Sequence, residues 1–588
     1  MIYFHNAKSE ELYKSILNFF PHITKFISRV ANDYNVLILD DVRDGDFLEK
    51  YLNLNNKGIF FIYKKDDYLF FGPILKSIFD ACPYCLLLTL ASDENSVDAL
   101  KRKNRIININ RKINPKIKTI EKFITTIDLS TGQVLYLKIP MSHPACSHFF
   151  NKKNTKVIRK TNLSTNKIIK DIYDSDVGII RELKSLKDIS SKKFVKKMGK
   201  NEVIFSWFQN PIFSFYPEVR FLDLAIGSAM SYKSALKRAL FESIERYSVS
   251  SFPHTSPDYI GMYTDIKENA INPEAFWRYS DEQIKNPGFI FKNPTSKNIL
   301  NWRYAYDLKG KKTLIPEDYL YINLKKPSRF HNNSTSGSAA QVNFNKACLN
   351  GLLEMVERDN IMYHWVKGNP MSHLKLSGMS SKILENISFL DGLRFEVKII
   401  DVSRFNGLFT FIILLVNKKN KRPKVVLASA CHYDPEEAIL KTFREAVGSL
   451  LISIFMEEKN GPNVLSREDV KDPEDHAIFY REPSNIKFLD HYIQASDASS
   501  IKSFKQVFSE NENILEQITN RLSDLGINVY FYDLTLPNMM KYSLSVVRTI
   551  SPELLPIMFG SSYLKLSRGF GKKFEYSKIA LQIPHPYS

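Results

Sequence analysis

Two short segments of the chain place paired carboxylates beside an arginine: "ALFESIERYS" at 239–248 and "GLLEMVERDN" at 351–360. Each reads Glu, two residues, then Glu-Arg, and equivalent glutamates are 354 − 242 = 112 residues apart. On a helix, residues three apart share a face, with Cβ atoms about 5–6 Å from one another. Glu242 and Glu245 therefore form one pair, Glu354 and Glu357 a second, and Arg246 and Arg358 follow them. On a solvated face such charges make ion pairs of small energetic weight. In an apolar setting they must be neutralised, hydrogen-bonded or bound to a metal. The flanking residues (Ala239, Leu240, Phe241, Ile244 and Leu352, Leu353, Met355, Val356) are apolar almost all round, which points to buried helices. Four oxygen donors on two facing helices suit Mg²⁺, which shares its shell with phosphate oxygens and water. The neighbouring arginines suit the remaining phosphate charge. The chemistry indicated is a Mg-nucleotide site built without a phosphate loop, since neither GxxxxGK[ST] nor GxGxxG occurs in the chain.

The elements that must position these groups recur. A strand-like run with small residues leads into an acidic helix in "LDLAIGSAMSYKSALKRALFESIERY", in "STSGSAAQVNFNKACLNGLLEMVERD" and in "VVLASACHYDPEEAILKTFREAVGS". Each has an alanine at the expected helix start (Ala235, Ala347, Ala438) and a glutamate seven residues later (Glu242, Glu354, Glu445). The shared offset predicts three equivalent sheet-to-helix corners. Upstream, "NVLILDD", "KGIFFIYKK" and "DDYLFFGP" read as buried strands, and "DLSTGQVLYLKI" as a hairpin around Ser130-Thr131-Gly132. The whole is α/β with mixed α+β character. A smaller α/β block spans residues 1–150, a Lys/Asn-rich linker 151–169, and the larger domain 170–588.

At 588 residues the chain exceeds one ordinary hydrophobic core. With 44% apolar and 25% charged residues it has a globular composition, and its apolar runs are too short to span a bilayer. The first residues lack the order of a signal peptide, so a cytoplasmic protein is expected. Five cysteines in such a length do not make a disulfide framework. The net charge of +19 bears on association rather than fold, and no basic segment is interleaved with aromatics as a base-stacking platform requires. Neither a nucleic-acid nor a membrane partner is expected.

The ordered set "SALKRALFESIERYS", "NSTSGSAAQVNFNKACLNGLLEMVERD", "ACHYDPEEAILKTFREA" and terminal "PHPY" resembles the YcaO family over residues 170–588. Within it, the likeness is to cyclodehydratase components that form thiazoline and oxazoline rings in ribosomal peptides. The N-terminal block is similar to the truncated ubiquitin-activating-enzyme-like (ThiF-like) docking domain that often precedes them. The resemblance implies ATP and Mg²⁺ as cofactors, with Glu242, Glu245, Glu354 and Glu357 holding Mg²⁺ and phosphates. Asn350, on the face of Glu354, would join them, and Arg246, Arg358 and Arg548 would bind phosphate or adenine-side groups. It further implies a catalytic C-terminal segment, matched here by Pro584, His585, Pro586 and Ser588. Expected partners are a ribosomal precursor peptide, a separate leader-peptide-binding protein, a flavin dehydrogenase and a second copy of the chain as homodimer. Three positions depart from the family: Arg238 where a Ser is usual, Gly448 where a Gln is usual, and Ser588 in place of a final Pro. They support a rival reading as a non-catalytic scaffold, and thioamide formation is a rival within the enzyme class.

"ACPYC" at 81–85 has the spacing of a redox motif, a zinc half-site or a pair of buried cysteines. The resembling family carries a second Cys-x-x-Cys where this chain has Cys146, with Phe149 in the last place. A structural zinc on Cys82, Cys85, Cys146 and His148 is one expectation. Cys348 and Cys431 are expected in the core, Asp434 as a helix cap, and His432 and His364 as structural.

Overall fold

The computed structural model describes short elements within residues 2–138, most of 165–560, and residues 567–568, 572–573 and 582–587. Gaps in the middle part include 174–177, 209–223, 252–255, 323–329 and 331–333. The N-terminal block contains β1 (Ile2–Phe4), α1 (Ala7–Phe19), β2 (Asn35–Leu39), β3 (Ile59–Lys65), β4 (Tyr68–Leu75), β5 (Phe123–Asp128) and β6 (Val134–Lys138). They form one sheet in sequence order, parallel from β1 to β3 and antiparallel from β3 to β6. The run "NVLIL" is buried along its whole length, as a parallel central strand requires. The expected hairpin is β5–β6, with Ile127 opposite Val134. Val36, Ile38, Phe60, Ile62, Leu69 and Phe71 give this sheet a core of its own.

The expected linker is shorter than drawn: a helix runs over Thr165–Ile172, and Ile168 and Ile172 pack into the core of the larger part. Apolar residues at this four-residue spacing give the segment a buried stripe despite its polar composition. There follow β7 (Ile180–Ser185), β8 (Glu202–Phe208) and β9 (Leu224–Ala229), an antiparallel three-stranded sheet. Next come α2 (Tyr232–Val249), β10 (Tyr259–Gly261), β11 (Leu300–Tyr306), β12 (Lys312–Pro316), β13 (Ser338–Gln341) and α3 (Phe344–Lys367). The chain continues through β14 (Ser372–Lys375), α4 (Ser381–Gly392), β15 (Phe395–Asp401), β16 (Phe409–Asn417), β17 (Val425–His432) and α5 (Pro435–Asn460). It ends with α6 (Pro473–Arg481), β18 (Ala498–Ser500), α7 (Ile514–Asp524), β19 (Tyr530–Asp533) and β20 (Ser545–Ile550). One sheet has the order β10-β11-β19-β20-β13 with β12 beside β11, and another the order β17-β16-β15-β14-β18.

The three predicted corners are β9–α2, β13–α3 and β17–α5. Each helix opens on a side chain that accepts from the backbone N–H three residues on: Ser231 from Ser234, Asn343 from Lys346, Asp434 from Glu437. Counted from these caps, the glutamates fall at 242 − 231 = 11, 354 − 343 = 11 and 445 − 434 = 11. Arg238, Asn350 and Lys441 are the equivalent residues seven past each cap. Close backbone approach seats the helices. A Cβ at Gly351 would lie 2.5 Å from Thr549 Oγ1 and 2.6 Å from the Gly337 carbonyl, so only glycine lets α3 lie this near β13 and β20.

Candidate nucleotide site

The first cassette ties α2 to the free edge of its own corner strand. Glu242 Oε2 accepts from the Ile226 backbone N–H at 3.0 Å, and Arg246 Nη1 donates to the Leu224 carbonyl at 2.8 Å. Glu242 Oε1 and Arg246 Nη2 pair at 2.7 Å. These bonds satisfy backbone groups that an edge strand otherwise leaves open, so half of the cassette secures the fold. Glu245 takes no part in these bonds. Burial pushes its carboxyl well above the usual range, and Glu354 and Glu242 push it further, with Arg246 and Arg548 opposing.

The second cassette divides in the same manner. Buried Glu357 accepts from Ser429 Oγ at 2.7 Å, which links α3 to β17. Glu354 stays partly accessible; Arg358 Nε is 3.6 Å away, an ion pair too long for a hydrogen bond. Burial and the Glu357 charge hold the Glu354 carboxyl up, while Arg358, Lys441 and Arg548 draw it down. Arg548 on β20 is buried and gives Nη1 to Ser338 Oγ at 3.0 Å, across the β13–β20 pair. Its Nε is buried without a partner, and burial lowers the guanidinium to about 10 against the pull of Glu354 and Glu245.

The third corner adds groups that motif reading missed. Glu445 on α5 is raised by burial and by Glu242 and Glu357, and Arg238 and Lys441 oppose the rise. Glutamates from all three corners thus feel one another. Lys441 carried no motif, yet its place seven residues past a helix cap is the signal that would have found it. Arg238 does not fill the space beside it. It lines an open cavity of about 390 Å³ between α2, α4 and α5, together with Ser228, Ser231, Asn386, Glu437 and Arg444. Gly448, the second departure, has a packing reason: a Cβ there would lie 2.8 Å from both side-chain atoms of Ser228. Asn350 stands exposed one turn before Glu354.

The composition of the cluster fits a divalent cation with a polyphosphate. Glu245, Glu354 and Glu445 are all raised chiefly by burial, and Arg548 keeps an unpaired buried N–H. Among the described residues, however, no three His, Cys, Asp or Glu side chains converge as a metal chelate. The four glutamates expected to hold Mg²⁺ do not form such a cage by themselves. Cys82, Cys85, Cys146 and His148 lie outside the described residues. Cys348 and Cys431 are buried, and burial raises both thiols to about 12, so they are inert core groups.

The C-terminal segment is held inside the protein. Pro584, His585, Pro586 and Tyr587 are all buried, and Ser588 lies outside the described residues. His585 has no ring nitrogen free for proton transfer. Its Nδ1 accepts from the Tyr587 N–H at 3.3 Å, and its Nε2 donates to the Met558 carbonyl at 2.9 Å. Burial, His476 and Arg358 hold the ring neutral. Both ring nitrogens of His585 thus help to fasten the segment.

No helix among the described residues is long and apolar enough to cross a membrane. Solved structures share the fold over most of the chain. A heterocyclase determined in complex with substrate and cofactor matches 94% of this chain and 80% of its own, at 15% identity and a TM-score of 0.64. The heterocyclase TruD matches 89% of this chain and 74% of its own, at 15% identity and a TM-score of 0.56. At such identities the likeness establishes the fold. An uncharacterized protein of Methanothermobacter thermautotrophicus is 24% identical over 346 residues, covering 57% of this chain and 82% of that protein. The family model for the ATP- and Mg²⁺-binding YcaO cyclodehydratases matches residues 226–555, which contain all three corners and Arg548, and the chain belongs to that family.

Proposed function

We propose that this chain is an ATP-dependent cyclodehydratase that closes azoline rings on a ribosomal peptide. The carrying observation is that Glu245, Glu354 and Glu445, one on each of three equivalent corners, all have carboxyls raised chiefly by burial, within reach of one another's cassettes and of Arg358, Lys441 and Arg548. In this reading Glu245 and Glu354 hold Mg²⁺ with phosphate oxygens and water completing its shell, and Glu242 and Glu357 steady the helices that carry them. Arg358, Arg548 and Lys441 meet the phosphate charge, Asn350 reaches it from α3, and the cavity beside Arg238 takes the nucleoside. When bound, ATP supplies the phosphoryl group that makes an amide oxygen a leaving group. A Cys, Ser or Thr side chain gives up its thiol or hydroxyl proton and attacks the preceding carbonyl carbon, the carbonyl oxygen leaves as phosphate, and the amide proton is lost as the C=N bond forms. The residues named above act by position and charge, as phosphoryl transfer demands.

The N-terminal α/β block is read as the docking domain for a separate leader-binding protein. The test is calorimetry with Mg-ATP on the wild type and Glu354→Gln, followed by mass spectrometry of a Cys/Ser/Thr-rich peptide incubated with both. Saturable binding and loss of one water mass per ring, both absent in the variant, are the expected results. Binding unaffected by Glu354→Gln would move the nucleotide elsewhere. Binding without loss of water would favour a reaction that leaves the ring open.

A further inference from the structure

The segment Ile583–Tyr587 is fastened from several sides. Ile583 and Tyr587 belong to the core that also holds Ile361 and Trp365 of α3, Phe479 and Tyr480 of α6, and Tyr492. Tyr480 Oη donates to the Pro584 carbonyl at 2.7 Å, and the hydroxyls of Tyr492 and Tyr587 bond at 2.7 Å. His476 and His585 stack with centroids 4.1 Å apart and planes 29° apart. His476 Nε2 accepts from the Gly560 N–H at 3.2 Å, so its Nδ1 carries the proton and donates it to the His585 carbonyl at 2.7 Å. A proline on each side of His585 removes two backbone donors and stiffens the segment. At its inner end, Tyr587 feels the charges of Glu357 and Arg358, and His585 feels Arg358. The fastened segment thus shares a core with Ile361, Met362, Trp365 and Val366, the turns of α3 that follow Arg358 in the same helix.

We propose that His476, Tyr480 and Tyr492 are positioning residues: they set the depth of the Ile583–Tyr587 segment, and through the core it shares with Ile361 and Trp365 they hold α3, and with it the Glu354–Arg358 turn, in register. The role in turnover rests on the nucleotide reading above; the mechanical coupling does not. No group of the three touches the proposed nucleotide. A buried segment that only sealed the core would leave α3 unchanged when loosened, whereas a positioning one transmits the change.

The experiment compares amide exchange in the full-length, nucleotide-free wild type, His476→Phe, Tyr492→Phe and His476→Asn. His476→Phe keeps a ring and removes both hydrogen bonds. Tyr492→Phe removes one hydroxyl and serves if the first variant fails to fold. His476→Asn restores a donor near Nδ1. Faster exchange at Ile583, His585 and Tyr587 that spreads to 354–358, reversed in His476→Asn, is expected. Steady-state ATP hydrolysis should then show kcat reduced about tenfold to a hundredfold with KM for Mg-ATP held within about twofold. Faster exchange confined to the segment, with 354–358 as in the wild type, overturns the proposal. A wild type that binds no Mg-ATP would sink the nucleotide reading alone, because the exchange pattern is read without nucleotide.

Discussion

At the scale of single residues, the raised carboxyls make a prediction whose sign is fixed. Glu245, Glu354 and Glu445 hold protons more tightly in the folded protein than free carboxyls do. A bound cation requires them ionised, so Mg-ATP binding releases protons and tightens as pH rises above the ordinary carboxylate range. Calorimetry in two buffers of different ionisation enthalpy should give different apparent heats, and Glu354→Gln should shrink the difference. Equal heats would mean the cluster is already ionised. The same logic makes Glu354→Gln neutral or stabilising without ligand, since it removes a buried charge that lacks full compensation. Arg238 offers a second test on the cavity wall. Loss of one charge-assisted contact in Arg238→Ser should weaken Mg-ATP about tenfold and leave adenosine binding unchanged. Equal losses for both ligands would place Arg238 on the nucleoside instead.

At the scale of elements, the three corners were legible because their signals are local: small residues at a strand end, a capping side chain, and a glutamate at a constant offset. The division of labour inside each cassette was not. Glu242 and Glu245 look equivalent in a helical repeat, yet one is spent on the Ile226 N–H of β9 and the other faces Glu354. That difference depends on which strand edge lies beside the helix, which no spacing encodes. Ser429 escaped for the same reason, since it acts on Glu357 across elements distant in sequence. The helix at Thr165–Ile172 was hidden by its polar composition although its two buried isoleucines stand four apart. Gly448 shows how a departure from a family pattern reads differently once its neighbour is known. Gly448→Ala should destabilise by about 1–3 kcal/mol, because its Cβ would press on Ser228 at 2.8 Å. Adding Ser228→Gly should recover most of the loss in a double-mutant cycle. Additive losses from the two changes would show that the strain lies elsewhere.

At the scale of the whole molecule, the fastened C-terminal segment links acid sensitivity to the site. His476 and His585 are both neutral when held: burial takes His476 down to about 4, with the His585 carbonyl and Asp475 opposing, and His585 falls well below its ordinary range under burial, His476 and Arg358. Once released, each imidazole returns to an ordinary value near 6.5. The released state therefore binds more protons as pH falls below about 6.5, and the held state binds none until about 4, so stability is lost across that interval. For His476 alone the full shift corresponds to about 3 kcal/mol as an order of magnitude. The raised carboxyls of Glu245 and Glu354 act in the opposite sense, because protonation removes a buried charge and then its repulsion by neighbouring carboxylates. The two effects separate by location and by mutation. Thermal unfolding followed from pH 7 to pH 5 should show a falling Tm in the wild type, a shallower fall in His476→Asn, and a steeper fall in Glu245→Gln, which loses the opposing carboxyl. An unchanged slope in His476→Asn would show that the stacked imidazoles do not set the acid limit of the fold.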